Sequence, residues 1–268
     1  MMSQFLANHP IFTTEQWADF LNAHGSRNPR TRQTLLQYHE KRGHVRRLRR
    51  GLYASVPPGL EAKNNPVDSF LLASSLADDA VLAFHTALTF HGRAYSTRNV
   101  FTYLTSQKDK RRLQYQGVTY RPVTHPAQLI RSGRESLGVQ SVDRGGQDIR
   151  VTSLERTMAD ALDRPALAGG WEEIWRSLES IPYFDLELIL DYTLALKNAT
   201  TAAKVGFYLE QHREALMVDA RFLDRLRARR PKSPHYMSRG ARARGRFIPE
   251  WNLVVPTEVV DRTWEEVI

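Results

Sequence analysis

Residues 28–55 read NPRTRQTLLQYHEKRG and then HVRRLRRGLYAS, a cation-rich segment of helical pattern that runs straight into a pair of short, cation-rich strand patterns. Few folds accept that order. The helix has one apolar stripe to bury and a charged face to keep out, and the strands repeat the division. This is the pattern of a winged helix-turn-helix, in which the second helix enters the DNA major groove and the strand pair, the wing, follows the phosphate backbone beside it.

The neighbouring residues complete the unit. Thr13 or Thr14 suits an N-cap, Trp17, Phe20 and Leu21 follow at helical spacing, and Gly25 suits the position after the helix end. The connector Ser26-Arg27-Asn28-Pro29 turns the chain, and Pro29 opens a second helix that buries Leu35, Leu36 and His39. Its other face carries Arg30, Arg32, Gln33, Gln37 and Lys41. Arginine pairs bidentately with guanine and glutamine with adenine, so Arg32, Gln33 and Gln37 are the expected base-reading residues. Gly43 ends the helix. Val45, Leu48, Leu52 and Tyr53 then dock a strand pair on the helices, which leaves Arg46, Arg47, Arg49 and Arg50 for phosphates, with Gly51 at the tight turn. Pro57-Pro58-Gly59 closes the unit like a linker.

Charge is concentrated in two blocks. The chain has 268 residues and a net charge of +9. Residues 1–58 hold nine Lys and Arg against Glu15, Asp19 and Glu40, and residues 225–246 hold nine against no acid. The rest has more acids than bases. Both blocks are candidates for counterion release on a nucleic acid. In the second, Arg239, Arg242, Arg244 and Arg246 form a possible further nucleic-acid surface, for DNA or RNA, on a loop broken by Pro231, Pro234, Gly240 and Gly245.

The run Gly43 to Ala54, of the form G-H-V-x-R-L-R-R-G-L-Y-A, resembles the N-terminal domain of AbiEi-type antitoxins, the antitoxin half of the AbiE abortive-infection systems. Two later stretches add to the likeness: residues 79–92, DAVLAFHTALTFHG, and residues 152–170, TSLERTMADALDRPALAGG. The resemblance implies a type IV toxin-antitoxin antitoxin that acts in phage defence. Such a protein represses its own operon by binding inverted repeats of operator DNA, and neutralises a cognate nucleotidyltransferase toxin without a stable complex. No cofactor and no catalysis are expected, on the residues weighed below.

Residues 59–268 read independently as a larger α+β domain. Two helices are expected from Pro66 to Gly92, broken near Asp78-Asp79, followed by strands at 100–104, 118–123, 137–142 and 149–151. Thr152 and Glu155 have capping-box spacing for a helix that carries Leu154, Met158, Ala161 and Leu162 inward. Helical patterns continue at 171–178, 186–196, 202–212 and 220–226, and a last strand is expected within 247–255. Strands followed by helices argue for α+β rather than a doubly wound sheet.

Catalytic patterns are weak. Cysteine is absent, which removes thiol nucleophiles and thiolate metal sites and suits a reducing cytosol. His85 and His91 stand six apart, off a common helical face, and no carboxylate completes a zincin motif. Gly145-Gly146 and Gly169-Gly170 lack the residues of a phosphate loop. Glu155, Asp160 and Asp163 are accounted for by a cap, by Arg156 and Arg164 or by a solvated face. Glu61-Ala62-Lys63 has nuclease-like E-x-K spacing, but lies in a polar connector with no strand around it. Gly25-Ser26 is followed only by the basic helix, so the chain does not resemble the toxin. A stand-alone regulator and a DNA-targeted metal-dependent nuclease are the alternatives. MMSQFLANHPIF has neither a basic segment nor a long apolar run, and no window approaches the about 18 apolar residues of a membrane span, so a cytoplasmic protein is expected.

Overall fold

The computed structural model describes residues 2–26, 28–108, 110–238 and 245–265. Its architecture is mixed α+β. The chain begins with α1 (Met2–Asn8), β1 (Ile11–Thr13), α2 (Thr14–Ala23), α3 (Pro29–Lys41), β2 (Val45–Arg49) and β3 (Leu52–Ser55). β3 lies centrally in an antiparallel sheet of order β1-β3-β2. Neither α1 nor β1 was expected from the sequence; each is too short to establish a periodicity.

Strand alternation sends successive side chains to opposite faces, and here both faces are buried. Phe12, Val45 and Tyr53 pack with Phe5, Trp17, Leu21 and Leu36 of the three helices. Ile11, Leu48, Leu52 and Ala54 pack the other way, against Leu71, Leu72, Leu76, Tyr103 and Val151. The expectation of a strand pair docked on helices alone is corrected by this second apolar face.

Those partners belong to a second assembly: α4 (Ser69–Ser74), β4 (Val81–Leu82), α5 (His85–Phe90), β5 (Val100–Leu104), β6 (Leu113–Tyr115), β7 (Val118–Val123), α6 (Ala127–Ser132), β8 (Val139–Arg144) and β9 (Gln147–Thr152). The strands form a six-stranded mixed sheet of order β6-β7-β5-β4-β9-β8, in which β4 pairs parallel with β9 and antiparallel with β5. Residues 81–82, read from sequence as part of a helical run, are thus a central strand. The period of two has no room to show in a segment so short, whose neighbours are apolar too.

Helices cover the far face: α7 (Leu154–Asp163), α8 (Pro165–Ala168), α9 (Trp171–Glu179), α10 (Leu186–Ala195), α11 (Ala199–Gln211) and α12 (Ala220–Arg227). They share one core with Val81, Phe84, Leu88 and Leu104 of the sheet layer. The cap of α7 is Ser153, whose Oγ accepts from Arg156 N at 3.3 Å, rather than Thr152, which ends β9 fully buried. Glu155 instead accepts from Asp185 N at 3.2 Å. A three-stranded sheet of β10 (His235–Tyr236), β11 (Gly245–Ile248) and β12 (Leu253–Pro256) follows, in the order β10-β12-β11, before α13 (Thr257–Val260). The single late strand expected from sequence is therefore two, divided by Asn252 in a left-handed conformation (φ 47°).

Candidate nucleic-acid interface

α3 is built to present one face. The Asn28 side chain accepts from Arg30 N at 2.9 Å, Pro29 supplies a preset φ in the first turn, and Gly43 leaves the helix at φ +73°. Leu36 is buried and Leu35 half-buried, and Trp17 Nε1 donates to the Arg32 carbonyl at 3.1 Å, which fixes α2 against the first turns of α3. A capping box closes α2: Thr13 Oγ1 accepts from Gln16 N, and Gln16 Oε1 accepts from Thr13 N. Thr14 N donates to the Gly51 carbonyl at 3.0 Å, so the start of α2 is tied to the turn between β2 and β3.

A groove of about 470 Å³ runs between these parts, with Gln33, Gln37 and Glu40 on the helix side and Arg47, Arg50 and Gly51 on the hairpin side. Gln33 and Gln37 are four apart, hence stacked on one helical face. Among the described residues, the side chains of Arg30, Gln33, Gln37, Lys41, Arg47 and Arg50 are exposed and make no hydrogen bond or ion pair within the chain. Six polar groups, four of them cations, are thereby left for solvent or a ligand.

Arg32, Arg46 and Arg49 are placed differently. Arg32 is half-buried; its Nε donates to the Ser26 carbonyl at 3.2 Å and its Nη2 to Asn22 Oδ1 at 2.5 Å, bracing the connector between α2 and α3. Arg46 Nη1 donates to the carbonyls of Ala62 (3.2 Å) and Lys63 (3.1 Å), and its guanidinium lies 5.0 Å from the Tyr115 ring centre. Arg49 Nη2 donates to the Leu76 carbonyl at 2.8 Å. The register explains the split: Arg47 pairs with Tyr53 on the helix-side face, whereas a bulge between Arg47 and Arg49 places Arg49 opposite Leu52 on the other face. His39, expected as a buried residue, is half-buried, with its Nδ1 3.0 Å from Nδ1 of His44 at the end of α3. Burial and the neighbouring His44 both lower the His39 pKa.

In the second basic block, Arg239, Arg242 and Arg244 lie outside the described residues, and Arg246 pairs with Asp261 at 3.0 Å.

The residues weighed for catalysis have structural partners. His85 is buried 3.2 Å from Glu173, whose carboxylate also accepts from Tyr95 N, Ser96 N, and the hydroxyls of Ser96 and Ser177. Burial lowers the His85 pKa, with Glu173 opposing. His91 Nε2 donates to the Thr152 carbonyl at 2.8 Å. Asp160 is buried, not solvated: it accepts from Tyr192 and from the fully buried Arg156, and its pKa is raised by burial against the pull of Arg156. Glu61 and Lys63 pair with one another in solvent at 3.2 Å. Among the described residues, no three His, Asp or Glu side chains gather as a metal site, and no helix is long and apolar enough to cross a membrane.

No family model matches the chain, and no curated protein matches it. Among solved structures it is similar to the crystal structure of RV2827C protein from Mycobacterium tuberculosis, with 19% identity, a TM-score of 0.62, and coverage of 98% of this chain and 93% of that one. The likeness shows a shared fold across nearly the whole of both chains.

Proposed function

We propose that residues 1–58 form a winged helix-turn-helix that binds double-stranded operator DNA, and that the chain is a type IV antitoxin which represses its own operon. The element order α1-β1-α2-α3-β2-β3 with sheet order β1-β3-β2 supports the winged-helix reading. The observation that carries the DNA reading is the groove where Gln33 and Gln37 face Arg47 and Arg50, all unpaired within the described chain. Gln33 and Gln37 read base edges in the major groove, and Arg30, Lys41, Arg47 and Arg50 hold phosphates.

The antitoxin half of the proposal rests on the resemblance of residues 43–54, 79–92 and 152–170 to AbiEi antitoxins. The buried pairings of His85 with Glu173 and of Asp160 with Tyr192 favour that reading over a nuclease, because each side chain already has a structural partner.

Duplex binding measured across a salt series tests the DNA reading. Gln33→Ala or Gln37→Ala should change preference among sequences, whereas Arg47→Ala and Arg50→Ala should weaken all sequences alike and each lower the salt slope by roughly one. The opposite pattern would reverse the roles, and no duplex binding at low salt would end the proposal. Co-expression with an adjacent nucleotidyltransferase-like gene should restore growth; continued toxicity would leave a stand-alone regulator.

A further inference from the structure

The two-sided burial of the hairpin gives part of its charge another use. Arg46 and Arg49 sit on the face that also carries Leu48 and Leu52, and that face is closed by residues 59–151. Arg46 meets the second assembly at two places, the carbonyls of Ala62 and Lys63 and the ring of Tyr115 on β6, while Arg49 reaches a third, the Leu76 carbonyl just beyond the end of α4. Two further bonds cross the same boundary: Asn65 Nδ2 donates to the Ser55 carbonyl at 3.0 Å, and Gln147 Nε2 to the Ile11 carbonyl at 2.7 Å. Guanidinium donors suit this work. Arg46 Nη1 alone serves both adjacent carbonyls while the flat face of the guanidinium covers an aromatic ring, a combination that a compact ammonium does not reproduce with the same geometry.

We propose that Arg46 and Arg49 are positioning residues, which latch the hairpin onto the second assembly and so set the angle at which Arg47 and Arg50 meet DNA. The inference rests on the DNA-binding reading above. A phosphate could recruit Arg46 only by displacing two carbonyls and a ring, whereas Arg47 and Arg50 have nothing to displace. Charge alone therefore does not define the contribution of the four arginines. The four lie within five consecutive residues, but the register of the hairpin and its bulge divide their duties.

The test uses the full chain, reading duplex affinity against salt together with amide hydrogen exchange in β2 and β3. Arg46→Lys and Tyr115→Leu both preserve the charge, yet each should weaken binding roughly threefold to tenfold with an unchanged salt slope, and speed exchange of the hairpin amides. Arg49→Ala should speed the same exchange. Arg47→Ala should lower the slope by roughly one and leave exchange as it was. The positioning role is overturned if Arg46→Lys binds like the unaltered protein, if Arg46→Ala costs a unit of slope, or if exchange stays fixed in the Arg46, Arg49 and Tyr115 variants. Should Arg46→Ala fail to fold, Arg46→Lys and Tyr115→Leu decide alone. Failure of the unaltered chain to bind any duplex overturns the DNA reading as well, and so is distinguishable from failure of the latch.

Discussion

Arg46 and Arg47 are neighbours in sequence and opposites in environment, one stacked on Tyr115 and the other open to solvent beside α3. Their type and spacing were legible; their division was not, because it depends on which strand face meets the second assembly. One hint was present: Leu52, Tyr53 and Ala54 form an unbroken apolar run, the pattern of a strand buried on both faces. Arg32 makes the same point on a helix. Its exposed-looking position on the helical wheel suggested base reading, but its bonds to Ser26 and Asn22 brace the connector. Arg32→Ala should therefore lower the unfolding midpoint, by about 1–2 kcal/mol of stability, while the ranking of DNA sequences stays as it was; a changed ranking would restore it to base reading. Gly206 is the clearest steric position. A Cβ there would stand 2.1 Å from the Trp251 ring, which is itself fixed by a 2.6 Å bond from its Nε1 to Glu210 and by Arg227 over its face. Gly206→Ala should cost about 1–3 kcal/mol in denaturant unfolding despite alanine's better helix propensity, and a neutral or stabilising result would show that the ring can move.

At the scale of elements, the sequence revealed those with room for a period and a cap. α3 is 13 residues with Asn28 and Pro29 at its start, and its beginning follows from them as its end does from Gly43. Strands such as β1 and β4 are two or three residues long and emerge only through pairing with distant partners, Ile11 with Ala54 and Leu82 with both Tyr103 and Val151. The cap of α7 shows how local the limit can be, since Thr152 and Ser153 are adjacent and both chemically suited, and only the extension of β9 through Thr152 leaves the role to Ser153. Asn28 also has a functional consequence, because it fixes the end of α3 nearest Arg30 and Gln33. Asn28→Ala should destabilise the protein by about 1 kcal/mol and weaken duplex binding, and Asn28→Asp should restore stability. Equal loss in both variants, measured by thermal unfolding, would mean that the cap bond at 2.9 Å contributes little.

For the molecule as a whole, the consequential fact is a core that crosses the boundary drawn at residue 58. Isolating residues 1–58 would expose Ile11, Leu48 and Leu52, each worth about 1.5–3 kcal/mol of burial, on a unit too small to spare it. That fragment should aggregate or unfold unless those residues are made polar; a stable, monomeric fragment by circular dichroism and sedimentation would refute the shared-core account. The boundary expected at Pro57-Pro58-Gly59 rests on a change of composition, whereas the core that crosses it is made by tertiary packing, which composition does not show. Acid should find a different weakness. His125 is buried just beyond the end of β7, and burial and then the Arg156 charge hold its pKa down to about 4 from 6.5. Between those values the unfolded chain binds the proton and the folded one does not, so the full stability is present above about pH 6.5 and declines as pH falls toward 4, by on the order of 3 kcal/mol. His39 and His85, also lowered, act in the same sense. The Asp79 carboxyl, where bonds from Thr105 and Ser106 outweigh the upward push of burial, acts at still lower pH. His125→Gln removes the titration without adding charge, so its unfolding free energy should fall less steeply between pH 6.5 and 4 than that of the unaltered chain. Parallel curves would show that the fold's acid sensitivity lies elsewhere.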